Sequence, residues 1–138
     1  MTEFTLHERL QADTIEVTQW PLSLLLLMNA RQWPWLILVP RRPAVREIYE
    51  LAEPDQRALM SDIVRASKRL TQLVRPDKIN IAALGNAVPQ LHVHVIARFA
   101  GDPAWPRPVW GTVPPEPYSH DELGRTLDRF RRSLMDSA

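Results

Sequence analysis

Two unbroken apolar runs dominate the first third of the chain, LSLLLLM at 22–28 and WLILV at 35–39. Periodicity alone cannot separate a buried strand from a buried helix in runs this short. Pro21 before the first run and Asn29-Ala30-Arg31 after it favour a strand, and Pro40 and Pro43 close a second strand. Upstream, TIEV at 14–17 is rich in β-branched residues and predicts another strand. Residues 4–11 predict a short helix. After residue 53 the period changes. Leu59, Ile63, Ala66, Leu70 and Leu73 recur at spacings of 4, 3, 4 and 3, one apolar stripe along a helix. Pro54 falls in its first turn, where a missing N–H is harmless, and Arg75-Pro76-Asp77 stops it. INIAAL at 79–84 and residues 88–97 predict two more strands about a turn at Gly85-Asn86. Six of the thirteen prolines then crowd residues 103–117 into a stiff loop. Leu123, Leu127, Phe130 and Leu134 return to helical spacing, with Ser119 as N-cap.

Five strands, one long helix and a C-terminal helix in this order predict an α+β fold with an antiparallel sheet, not a repeating βαβ unit. At 138 residues the chain reads as one domain. Its 45% apolar and 24% charged residues are those of a globular protein, not a disordered one. A net charge of +1 gives no electrostatic footprint for duplex nucleic acid. Fifteen of the seventeen basic residues are arginines, which leaves individual phosphate contacts open. With no cysteine, disulfides, thiolate metal sites and thiol nucleophiles are excluded. No apolar run approaches the roughly 20 residues that span a bilayer. The N-terminal MTEFTLHER lacks a secretory pattern, so a cytoplasmic location is expected.

The candidate chemistry lies in VPQLHVHVIAR at 88–98, which holds two of the four histidines. Strand alternation puts Val88, Gln90, His92, His94 and Ile96 on one face and Leu91, Val93, Val95 and Ala97 on the other. The aliphatic face is expected to meet the core, leaving a polar row to line a site. Three uses of that row compete. The histidines could be partly exposed residues without a role. They could be a His-x-His metal pair, although a third ligand is needed and the nearest downstream acid is Asp102. They could also serve nucleophilic catalysis at phosphorus, with a neutral imidazole attacking and a phospho-histidine intermediate hydrolysed afterwards.

The same stretch resembles the signature of the histidine triad (HIT) family, His-x-His-x-His followed by two apolar residues. Gly85-Asn86-x-Val88 matches the family's Gly-Gln-x-Val, and LLLMNARQWPWLILVPRRP is similar to its first strand pair. The likeness covers about residues 22–102, leaving the Trp/Pro-rich loop and C-terminal helix at 103–138. It implies a HIT-like fold, a homodimer and a nucleotide substrate. It further implies that His92 is the nucleophile that receives the nucleotidyl phosphate and that His94 contacts the phosphate and assists the leaving group. Gln90 stands where the first histidine is usual and can hydrogen-bond but not titrate. Asn29 matches a ribose-binding residue and Asn86 a phosphate-contacting one, each with a turn role as the alternative. Two more departures are Trp35, where many members have histidine, and a shortened segment before Gly85. His7 and His120 match nothing in the family and are expected at the surface.

In the loop DPAWPRPVWG, Trp105 and Trp110 could cover the site and stack on a base, or could seal the core edge or a subunit contact. Arg107 between them could meet phosphate. The resemblance therefore implies a nucleotide hydrolase or nucleotidyl transferase needing no metal or other cofactor. The alternatives are a nucleotide-binding regulatory module and, less favoured, a His-x-His metal-binding protein.

Overall fold

A computed structural model describes residues 3–135. In chain order the elements are α1 (Glu8–Asp13), β1 (Thr14–Gln19), β2 (Ser23–Met28), β3 (Trp35–Pro40), α2 (Glu53–Val74), β4 (Lys78–Ala82), β5 (Val93–Arg98) and α3 (His120–Leu134). The five strands form one antiparallel sheet in the order β1-β2-β3-β5-β4. The α+β expectation and the strand count hold.

The two apolar runs become β2 and β3, next to each other inside the sheet and covered on both faces. On one face Leu25, Leu27, Leu36, Leu38, Val93 and Val95 pack against Leu59, Ile63, Ala66 and Leu70 of α2 and Leu127, Phe130 and Leu134 of α3. On the other, Leu24, Leu26, Ile37, Val39 and Ile96 meet Leu10 of α1, Trp33, and Ala104 and Val109 of the Pro-rich loop. A strand buried on both faces has no polar face to alternate with, which is why these segments read as continuous apolar runs. The predicted stripe of α2 is its buried face, apart from half-buried Leu73. Arg75 ends the helix in a left-handed conformation (φ 50°) ahead of Pro76. Ser119 caps α3, its hydroxyl accepting from the N–H of Glu122. Among the described residues no helix is long and apolar enough to cross a membrane.

Three local expectations shift. The first helix forms at Glu8–Asp13 rather than 4–11, because His7 has extended backbone (ψ 140°) and caps it through Nδ1. β4 ends at Ala82, short of Leu84. The strand expected over 88–97 begins at Val93: Pro89 offers no ladder donor, and the Leu91 N–H bonds instead to the Val45 carbonyl. The expected side-chain alternation nevertheless continues through this irregular stretch. Leu91 joins the helix-side core with Val93 and Val95, while Val88 packs on the opposite side with Ile96. A short 3₁₀ turn, Ile48–Glu50, is not evident in the sequence pattern. It forms where the Glu50 carboxylate accepts the N–H groups of Arg46 and Glu47.

Candidate active site

His92 sits just before β5 and His94 within it, their rings 5.0 Å apart and both nearly inaccessible to solvent. Their hydrogen bonds define their chemistry. His92 Nδ1 lies 2.7 Å from the Gln90 carbonyl oxygen. A carbonyl can only accept, so Nδ1 carries the proton and Nε2 is left with its lone pair. Burial pushes the His92 imidazolium down from its usual range, opposed by the bond to Gln90, with a smaller push the same way from His7. The ring is therefore neutral at pH 7, with Nε2 the basic nitrogen. The orienting group is a backbone carbonyl, so glutamine supplies it as well as histidine would.

His94 is held differently. The Trp35 indole N–H donates to its Nδ1 at 3.0 Å, and its Nε2–H donates to the Leu84 carbonyl at 2.9 Å. Both nitrogens are engaged by the protein. Burial, outweighing the bond to Leu84 and aided by charge on His92, lowers its pKa to about 4. Trp35, noted in the sequence as a departure, is thus the partner that fixes the His94 tautomer.

A cavity of about 550 Å³ opens beside the two rings, within the usual range for small-molecule sites. Its apolar walls include Trp33, Trp35, Ile37, Val109 and Trp110, with Arg9, Leu10 and Asp13 contributed by α1. Trp110 packs edge-on to both His94 (4.9 Å between centroids) and Trp35 (5.7 Å). A second, more polar cavity of about 370 Å³ is lined by Arg46, Glu47, Tyr49, Glu50 and Gln90. Gly85, Asn86, Val88 and His92 border both. Among the described residues, the N–H groups of Gly85, Asn86, Ala87 and Val88 donate to no protein acceptor. A turn with free amides beside a neutral imidazole can receive an anion.

The structure brings His92, His94 and Asn86 to the larger cavity, and places Gln90 on the smaller one. Gln90 turns its side chain to residues 5 and 7, accepting the His7 N–H at 2.8 Å and donating to the Thr5 carbonyl at 2.9 Å. Asn29, at the end of β2, accepts the Tyr118 N–H and is not in the cavity wall. Trp105 lies 5.9 Å over the Arg98 guanidinium, and exposed Arg107 also lies outside the cavity wall. Arg98 is buried and paired with Asp102 through two hydrogen bonds of 2.8 and 3.0 Å. Burial pushes the Asp102 carboxyl up, but bonds from Arg98 and the N–H groups of Phe99 and Ala104 outweigh it and hold it well below the usual carboxylate range. Among the described residues, no group of three His, Asp or Glu side chains is placed to hold a metal ion. The α1 residues of the wall carry no sequence signal. They reach the cavity only because α1 packs on the far side of the sheet.

The HIT domain profile matches residues 9–101, two thirds of the chain. Three solved histidine triad proteins align over almost their whole length. The one from Bradyrhizobium japonicum is 48% identical, with 96% of this chain and 99% of that chain covered at a TM-score of 0.93. The one from Marinobacter aquaeolei is 47% identical, with 96% and 97% covered at 0.94. The one from Sinorhizobium meliloti is 46% identical, with 95% and 97% covered at 0.91. Comparison with curated proteins finds no significant match. With the motif seated at a cavity, and the family profile and these likenesses spanning it, the chain belongs to the histidine triad family.

Proposed function

We propose that this protein hydrolyses or transfers the nucleotidyl group of a nucleoside phosphate, phosphoramidate or dinucleoside polyphosphate. Nε2 of His92 attacks the α-phosphorus in line. The N–P bond forms as the bond to the leaving group breaks, and the leaving group departs with the bond's electron pair and takes up a proton from solvent water. Water then attacks the nucleotidyl-His92 intermediate and gives up a proton to solvent as the P–N bond breaks, releasing the nucleotide and returning the electron pair to Nε2. Asn86 and the free amides of the 85–88 turn stabilise charge developing on the phosphoryl oxygens. The sugar and base occupy the apolar cavity against Trp110. His94, neutral and held at both nitrogens, braces Leu84 beside the reacting imidazole.

One observation carries this reading. The Nδ1–H of His92 is committed to the Gln90 carbonyl, leaving an unprotonated Nε2 at a nucleotide-sized cavity. The test compares wild type with His92→Ala on adenosine phosphoramidate and diadenosine polyphosphates. Turnover by wild type and a trapped nucleotidyl-protein, both absent in the variant, are expected. AMP binding without turnover above the variant on any substrate would replace the enzyme with a nucleotide-binding module. We also propose a homodimer. β4 is an edge strand carrying exposed Ile81, and light scattering at micromolar concentration tests it.

A further inference from the structure

Both ends of the Gln90 carboxamide are used on the N-terminal segment, at residues 83 and 85 positions away. Its oxygen takes the His7 N–H and its nitrogen supplies the Thr5 carbonyl, a two-point bridge like the pairing of adjacent strands. A carboxamide presents donor and acceptor side by side, whereas the two nitrogens of an imidazole diverge and cannot make this bridge. Among the described residues, no other hydrogen bond joins residues 3–7 to the chain beyond α1. The segment leads straight into α1. His7 Nδ1 caps the Arg9 N–H, and the His7 carbonyl accepts from Gln11. Phe4 and Leu6 pack with buried Leu10 on the cavity side of the sheet, and Arg9, Leu10 and Asp13 form part of the cavity wall.

We infer that Gln90 is a positioning residue. It fastens the N-terminal segment so that α1 stands as one wall of the nucleotide cavity, and it contributes affinity for the nucleotide instead of chemistry at phosphorus. This rests on the cavity being the nucleotide site proposed above. Glutamine at the first motif position is then a gain of architecture in this chain, not an imidazole lost.

Gln90→Met keeps the side chain's length and removes both hydrogen bonds. It raises KM and the Kd for AMP roughly three- to tenfold, the scale of one or two lost neutral hydrogen bonds, with kcat within about twofold of wild type. A fall in kcat at unchanged KM overturns the inference by placing Gln90 at the reacting atoms. Gln90→His, which restores the third imidazole, behaves like Gln90→Met; a gain in kcat overturns it. The bridge is also tested from its other end. His7 has φ −55° and ψ 140°, a backbone that proline adopts. His7→Ala removes only the ring, while His7→Pro also removes the N–H that Gln90 accepts. The difference between them in AMP affinity should disappear in the Gln90→Met background, and additive effects overturn the inference. A readout without nucleotide separates the two proposals. Amide exchange across residues 8–13 accelerates in Gln90→Met, and unchanged exchange overturns the bridge. A wild type that neither binds nor turns over nucleotide defeats the functional reading alone.

Discussion

Gly85→Ala probes how tightly His92, the proposed nucleophile, is seated. A Cβ at Gly85 would lie 2.7 Å from His92 Cε1, 2.8 Å from the Val88 carbonyl oxygen and 3.3 Å from His92 Nδ1. Ordinary contact begins near 3.4 Å, so the ring must retreat by about 0.7 Å. It cannot do so freely, because Nδ1 is held at 2.7 Å by the Gln90 carbonyl. The Val88 oxygen belongs to the backbone and yields still less. Overpacking of this kind costs about 1–3 kcal/mol of stability, and a stretched hydrogen bond adds about 0.5–1.5 kcal/mol. Under the proposed mechanism the rate falls further, since displacing a reacting atom by about 1 Å costs on the order of 100-fold. Urea unfolding measures the first effect. Single-turnover kinetics with an adenosine phosphoramidate measures the second, and nitrogen chemical shifts of His92 report whether Nδ1 remains the protonated nitrogen. Gly101→Ala serves as control, because its Cβ meets nothing within 4 Å. If Gly85→Ala keeps wild-type stability, a rate within threefold and the same tautomer, the seating argument is refuted.

Three further predictions follow the same logic. The folded pKa of His94 is lowered to about 4, so the folded state disfavours its protonation. Its contribution is complete above the unfolded value near 6.5 and is lost as pH falls toward 4. It amounts to about 3 kcal/mol at most; an NMR titration of His94 near 6.5 would contradict this. Asp102→Asn leaves the Arg98 guanidinium buried without its counter-charge and costs about 3–5 kcal/mol in denaturant unfolding. The wild-type pair stabilises fully above the unfolded Asp value near 4 and less as pH falls toward its depressed folded value. The variant should therefore lose that part of the acid sensitivity, and an unchanged acid limb would count against the pair. Trp110→Ala weakens AMP binding roughly tenfold by calorimetry, the scale of a lost aromatic stacking partner. Trp105→Ala should leave it unchanged, and the reverse order would exchange their roles.

The parts of this fold legible in the sequence are those where one segment declares its own environment. The stripe of α2, the cap at Ser119 and the doubly buried strands at 22–28 and 35–39 are of this kind. The facing of Leu91, Val93, Val95 and Ala97 was legible for the same reason. The hidden parts depend on residues far apart in the chain. Nothing local to Trp35 indicates that its indole will meet a histidine 59 positions later. Nothing local to Gln90 indicates that it will bind the backbone at residues 5 and 7. The motif itself misleads at one point, since alternation suggests a strand over 88–97 while Pro89 delays it to Val93. Trp105 and Trp110 look equivalent in a Pro-rich loop. Asp102 separates them by gathering the N–H groups of Phe99, Ala104 and Trp105 around its carboxylate and leaving Trp105 over Arg98.

The two-sided burial of the central strands gives the site walls of unequal durability. β3 and β5 are covered from both faces and carry Trp35 and His94, so amides there are expected to exchange only with global unfolding. The opposite wall consists of a six-residue helix and a proline-stiffened loop, neither of which belongs to the sheet. The site is thus expected to loosen first at this thin outer wall, while Trp35 and His94 keep their places on a floor as durable as the fold itself.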